Sequence, residues 1–181
     1  MATKLIVGLG NPGDQFKNSR HNVGFRCADY IAQKLEIPLK QEKKKSIFGK
    51  KRFKNGDVIV LKPMTFSNLS GEAVLYIASF LKVNLEDIFV IFDDIHRDWG
   101  TVEIEPRLEN VTHNAINHLA VALKSGEFTK CAFGIGPLPA KSDDEGFYLG
   151  DFNEAEESEF QELFEKTYAL AAAFLQVDGP A

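Results

Sequence analysis

One histidine and one aspartate stand where they could form a hydrolytic base. His21 closes the polar stretch that follows the first apolar run, and Asp93 ends the most apolar run of the chain, Ile88-Phe89-Val90-Ile91-Phe92. In an open α/β sheet, sites form beyond the carboxyl ends of the strands, so both residues are expected on one rim. A carboxylate bonded to one imidazole nitrogen fixes the tautomer and makes the other nitrogen a better base. Such a pair can take a proton from water as the water attacks a carbonyl. The same residue types at strand ends also serve as ordinary structural hydrogen bonds, and spacing alone leaves both readings open. Asn11, Asn68 and Asn114 lie in comparable turn or helix-start positions. A carboxamide offers a donor and an acceptor, so it can hold an amide or carbonyl without adding charge. Asparagine is equally common in turns and caps for backbone reasons.

Other chemistries find less support. No serine or cysteine sits in a G-x-S-x-G elbow, and Cys27 falls inside an expected helix. No paired Cys or His-x-x-x-His spacing suggests a metal; His113 and His118 are five apart and do not share a helix face. Gly8-Leu9-Gly10-Asn11-Pro12-Gly13 satisfies G-x-G-x-x-G after a strand. A dinucleotide site would need a helix opening at that glycine turn, yet Asp14 to His21 has no apolar face. The expectation is therefore direct attack by water, with no metal and no cofactor.

The elements that position these residues follow from periodicity. Residues 3 to 8 read as a buried strand, and a helix over about 22 to 36 lines up Phe25, Ala28, Ile31, Ala32 and Leu35. Residues 46 to 54 and 57 to 62 predict a hairpin across Asn55-Gly56, stopped by Pro63. A second helix is expected over about 69 to 82, with Asn68 or Ser70 as its cap. Strands at 88 to 92, 101 to 105 and 131 to 135 and helices at about 113 to 124 and 154 to 176 complete the pattern. Alternating strands and helices predict an α/β fold: a single domain over residues 1–181, with a twisted mixed β-sheet and helices on both faces.

The 181 residues are 44% hydrophobic, enough for a sizeable core. Cys27 and Cys131 read as free packed thiols of a reducing compartment. No stretch approaches the roughly 18 apolar residues of a membrane span, and the first apolar run is too short for a signal core. A cytoplasmic protein is expected. The net charge of −5 is uneven. Residues 40 to 54 carry Lys40, Lys43, Lys44, Lys45, Lys50, Lys51, Arg52 and Lys54 against one acid, Glu42, whereas residues 143 to 165 carry many acids and no base. The basic segment could meet a polyanion such as RNA, or it could be a solvated hairpin balanced by an acidic helix.

Taken together, these residues resemble a known family. Lys4 to Phe25, KLIVGLGNPGDQFKNSRHNVGF, is similar to the opening of bacterial peptidyl-tRNA hydrolases. The likeness continues in Lys62 to Val74, KPMTFSNLSGEAV, and in Asp93-Asp94, and resumes weakly at Thr112-His113-Asn114 and at Tyr148-Leu149-Gly150-Asp151-Phe152. The resemblance implies an enzyme that frees tRNA by hydrolysing the ester between a peptidyl or other N-blocked aminoacyl group and the terminal ribose. It implies that His21 is the general base, that Asp93 holds it, and that Asn11 distinguishes N-blocked from free ends. It also implies that Asn68 and Asn114 hold the substrate, with Phe66 and Phe16 as contact positions; Phe16 stands where the family has Tyr. A monomer is expected.

Two departures stand out. The family's glycine-rich approach to His-Asn-Gly is here Pro106-Arg107-Leu108-Glu109-Asn110-Val111-Thr112-His113-Asn114-Ala115. Where the family carries basic residues for tRNA phosphate, this chain has Glu103, Glu105 and Pro137. Acids beside a phosphate oppose binding. A paralogue acting on another N-blocked ester, or a non-catalytic peptide- or RNA-binding relative, therefore remains open at this stage.

Overall fold

The computed structural model describes residues 2–66 and 69–177. Seven strands form one sheet: β1 (Lys4–Gly8), β2 (Gln41–Lys43), β3 (Ser46–Phe53), β4 (Gly56–Pro63), β5 (Ile88–Asp98), β6 (Val102–Glu105) and β7 (Thr129–Gly136). Their order is β2-β3-β4-β1-β5-β7-β6. β1 is parallel to β4 and β5, and β5 to β7, while β2, β3 and β6 join antiparallel, so the sheet is mixed as expected.

Period-two alternation divides the core between two faces. From β1 and β5, Ile6, Phe89 and Ile91 pack with α1 (Val23–Leu35) and α6 (Phe160–Leu175). Leu5, Val7, Val90 and Phe92 pack on the other side with α2 (Ser70–Phe80) and α3 (Asn114–Leu123). A strand covered on both faces reads as a continuous apolar run, which is why β5 stands out in the sequence. Ile88 to Phe92 are each at most 1% exposed, so the strand that carries Asp93 is fixed on both sides. Truncating one of these side chains to Ala is expected to cost about 2–5 kcal/mol. Cys27 and Cys131 are free and buried, and burial pushes the Cys27 thiol up to about 12.

Several local expectations change. The β3–β4 hairpin turns at Lys54-Asn55, one residue before Asn55-Gly56, because Phe53 pairs with Gly56. Gly56 lies at φ 133, and a Cβ there would sit 2.0 Å from the carbonyl oxygen of Ala2, so glycine is required by the segment that leads into β1. The basic segment holds a further strand, β2, that alternation did not reveal. Its turn residues Lys44 and Lys45 both take positive φ, which Gly or Asn would normally announce. Ser70 does not cap α2: the N-cap position is Leu69, without a side-chain bond. Asn68 lies outside the described residues. The acidic C-terminal helix is two helices, α5 (Glu154–Ser158) and α6; α5 opens with a capping box between Asn153 and Glu156. A short helix, α4 (Asp144–Leu149), precedes them, capped by Asp143. Among the described residues, no helix is long and apolar enough to cross a membrane.

Candidate active site

Asp93 continues the Phe89–Ile91 row, so its side chain leaves the sheet toward the start of α1. His21 lies there, in the 3-10 turn Arg20–Asn22 that leads directly into α1. The two meet at 2.9 Å between His21 Nδ1 and Asp93 Oδ2, with His21 4% and Asp93 5% exposed. An ionised carboxylate only accepts, so Nδ1 carries a proton, and in the neutral ring Nε2 is the nitrogen with the free lone pair. Nε2 is buried and has no hydrogen-bond partner among the described residues. Burial opposes charge on His21, but the Asp93 charge and hydrogen bond outweigh it and hold the imidazole above its ordinary value. Burial likewise opposes ionisation of Asp93, but His21 and a second histidine, His113, pull it down to about 2.

His113 was not singled out by spacing. Its Nε2 lies 2.7 Å from Asp93 Oδ1, and its ring stacks on His21 at 5.2 Å and 19°. The Tyr148 ring of α4 lies against His21 from another direction, at 5.1 Å. His21, Asp93 and His113 thus line a cleft of roughly 460 Å³ together with Asp94, His96, Asn114 and Tyr148. One potential ligand atom from each of His21, Asp93 and His113 lies within 4.8 Å of the others. Both carboxylate oxygens, however, are already engaged by the two rings, so an ion would have to displace those bonds.

The loop carrying His21 is anchored from two sides. Asn22, 2% exposed, accepts from Asn11 N and donates to Asn11 O, which fixes the first turn beside the histidine. Arg20 N donates to Gly150 O, Phe152 N donates to Asn18 O, and the Arg20 guanidinium stacks on Phe147 and pairs with Glu156. The weakly family-like segment 148 to 152 therefore braces the histidine loop.

The remaining expected residues divide by place. Asn114 lines the cleft. Asn11 lines a neighbouring depression with Lys17, Lys62 and Met64. Phe16 and Phe66 meet edge to face at 6.4 Å, and Phe66 is 54% exposed.

Comparison with known proteins gives this geometry its context. A profile described as Peptidyl-tRNA hydrolase matches residues 5–180. The chain belongs to the peptidyl-tRNA hydrolase family. The peptidyl-tRNA hydrolase of Shouchella clausii is 37% identical over 174 residues, which is 96% of this chain and 94% of that one. A chloroplastic peptidyl-tRNA hydrolase of Arabidopsis thaliana is 38% identical over 89% of this chain and 56% of its own length. The crystal structure of peptidyl-tRNA hydrolase from Acinetobacter baumannii superposes with a TM-score of 0.88 at 28% identity, covering 96% of this chain and 89% of that one.

Within this peptidyl-tRNA hydrolase fold, Glu103 and Glu105 do not simply face outward. Arg97 of β5 pairs with Asp94, Glu103 and Glu105. Glu105 is 7% exposed and also accepts from Arg107 N and Asn110 Nδ2, bonds that hold its carboxyl below the ordinary range. The loop from 106 to 113 is shaped by these bonds and by a 3-10 turn at Leu108–Asn110. Pro137 follows a cis peptide bond at the end of β7.

Proposed function

We propose that this chain hydrolyses the ester linking a peptidyl or N-blocked aminoacyl group to tRNA, with His21 as general base. The observation that carries this reading is the buried Nδ1–Asp93 bond, which leaves His21 Nε2 unprotonated at the wall of the cleft. Water held at Nε2 gives up its proton as its oxygen attacks the ester carbonyl. The tetrahedral intermediate collapses, and the ribose oxygen leaves with the proton from His21. The imidazolium formed in between is stabilised by Asp93. On this reading Asn114, which lines the cleft, donates from its amide to the developing oxyanion. Every step uses groups of this chain and water, so no metal is required for the attack. Asn11 acts in the neighbouring depression on the blocked amino end, and Phe16 and Phe66 supply an aromatic contact.

The basic segment supplies RNA contact on the same reading. Lys43 lies over the Phe80 ring at 4.1 Å and Lys44 over Tyr76 at 5.5 Å, an exposed cationic and aromatic surface. Such surfaces suit phosphates and unpaired bases.

The test is release of tRNA from an N-acetylated aminoacyl-tRNA by the purified protein beside His21→Ala. Turnover that vanishes in the variant supports the hydrolase and its base. A folded wild-type protein that leaves the ester intact at low salt sinks the reading. Neutralising Lys43, Lys44 and Lys45 should weaken tRNA binding, and unchanged binding would remove the basic segment from it.

A further inference from the structure

His113 offers information that its neighbours do not, because both of its ring nitrogens have assigned partners. It is the N-cap residue of α3, and its Nδ1 accepts from the backbone N–H of Ala115 at 3.2 Å. A backbone N–H can only donate, so Nδ1 carries no proton. The ring proton must then sit on Nε2, which lies 2.7 Å from Asp93 Oδ1. A proton on Nδ1 would break the cap of α3. His113 therefore donates to Asp93 through Nε2. Its ring is held in place by the stack on His21 and by the edge contact with Phe92 at 5.6 Å, and its side chain is 8% exposed.

We propose that His113 is a positioning residue of the site: fixed as the Nε2–H tautomer by the N-terminus of α3, it orients the Asp93 carboxylate so that His21 keeps its proton on Nδ1 and presents Nε2 as the base. Asp93 has two oxygens and two imidazole donors, one for each. With Oδ1 taken by His113, only Oδ2 is left for His21, and the carboxylate cannot turn without losing a bond. The helix that delivers Asn114 to the cleft thereby also sets the orientation of the base, through the residue immediately before it.

This inference rests on the hydrolase reading for its consequence, though not for its test. His113→Asn keeps a side-chain oxygen that can cap Ala115 N–H, since Asn is among the best N-cap residues. Its amide is too short to reach Asp93, so the variant separates the cap from the positioning bond. His113→Gln carries an N–H about as far from the backbone as the imidazole Nε2, and serves as the rescue. The other titratable groups around the pair are unchanged in both variants: Tyr148, Asp144 and Glu145 from α4, and Asp94 and His96 from β5.

Two readouts decide. The first is the titration of the His21 ring, followed by NMR on histidine-labelled protein. In His113→Asn, the Asp93 charge is no longer shared and concentrates on the oxygen facing His21, so the ring should titrate at higher pH than in the wild type. The second is the pH profile of kcat/KM on N-acetylated aminoacyl-tRNA. The loss at pH 6 should exceed the loss at pH 8 by roughly three- to tenfold, and His113→Gln should recover part of it. His21 titration and pH profile both unchanged in a folded His113→Asn protein would overturn the proposal and leave His113 a helix cap. The titration needs no turnover, so a wild-type protein that fails to hydrolyse the ester sinks the function while leaving this test intact.

Discussion

Asn22 grips the backbone of Asn11 with both ends of its amide, Oδ1 accepting from Asn11 N and Nδ2 donating to Asn11 O, each at 2.8 Å. Asn22 is the residue after His21, so one side chain ties the first turn to the proposed base. Asn22→Asp keeps the shape and the acceptor but turns the donor into a second oxygen. The Asn11 carbonyl then faces an unpaired buried charge, and about 1–3 kcal/mol of stability should be lost. Denaturant unfolding measures this directly. The same variant should lower kcat/KM on N-blocked substrate by moving Asn11; a protein as stable and active as the wild type would show that the clamp is dispensable.

The glycine pattern at the first strand has a packing explanation. A Cβ on Gly8 would lie 2.1 Å from the Gly24 carbonyl oxygen, and one on Gly24 would lie 2.4 Å from Leu9 O and 2.7 Å from Ile91 O. These contacts are with backbone on either side, so neither strand nor helix can give way. Gly24→Ala should cost about 3 kcal/mol, the upper end for overpacking, read as a loss of the cooperative thermal transition or a large fall in its midpoint. Wild-type stability would mean that α1 can lift from the sheet.

The same contacts show what was legible in the sequence. Gly8 and Gly10 imitate a dinucleotide fingerprint, but α1 begins only at Val23, as the absence of an apolar face before His21 indicated. β1, α1 and β5 could be read because long periodic or fully apolar stretches leave little choice of structure. α4 could not, since its six residues are too few for a period and its position depends on Arg20 bonding back to residues 147 and 150. The Lys44-Lys45 turn lacked the residues that announce one. His21 and Asp93 were legible as polar groups that follow apolar runs, although the strand expected to end at residue 92 continues as β5 to Asp98 and carries Asp93 in its middle. The His113 bond was not, because it joins positions 20 apart through a helix cap and the middle of β5, and a search for metal spacing looks past it.

Activity and stability should respond to pH in opposite directions at this site. His21 titrates above its ordinary 6.5 in the fold, so the stabilisation from its protonated form is complete below 6.5 and is lost as pH rises through the folded value. Asp93 is lowered from 3.8 to about 2, so its contribution is present above 3.8 and is lost as pH falls toward 2. The electrostatic contribution of the pair is therefore largest between about pH 4 and 6.5. With His21 as the proposed base, hydrolysis needs its neutral form, so kcat/KM should rise through a limb above 6.5. Asp93→Asn removes the charge that raises that limb and the acceptor that sets the tautomer. It should move the limb to lower pH while cutting kcat by roughly two to four orders of magnitude. A limb that stays in place would separate His21 from the reaction.

Glu103 and Glu105 occupy neighbouring places on β6 but should act on different properties. Glu103 is 54% exposed at its side chain and paired with Arg97 at the surface, where such a pair contributes little. Glu103→Lys should leave stability nearly unchanged while reversing the charge offered to a tRNA phosphate. If tRNA passes over β6, the variant binds deacylated tRNA more tightly at low salt, and the slope of log K against log salt steepens by about 0.7–0.9 for one new phosphate contact. Glu105 faces inward and holds Arg97, Arg107 N and Asn110. Glu105→Gln should therefore lower stability by about 1–3 kcal/mol and loosen the loop that leads to His113 and Asn114, with kcat falling and the salt slope of tRNA binding unchanged. An unaltered slope in Glu103→Lys would place the RNA path away from β6 and toward the lysine turn of β2 and β3.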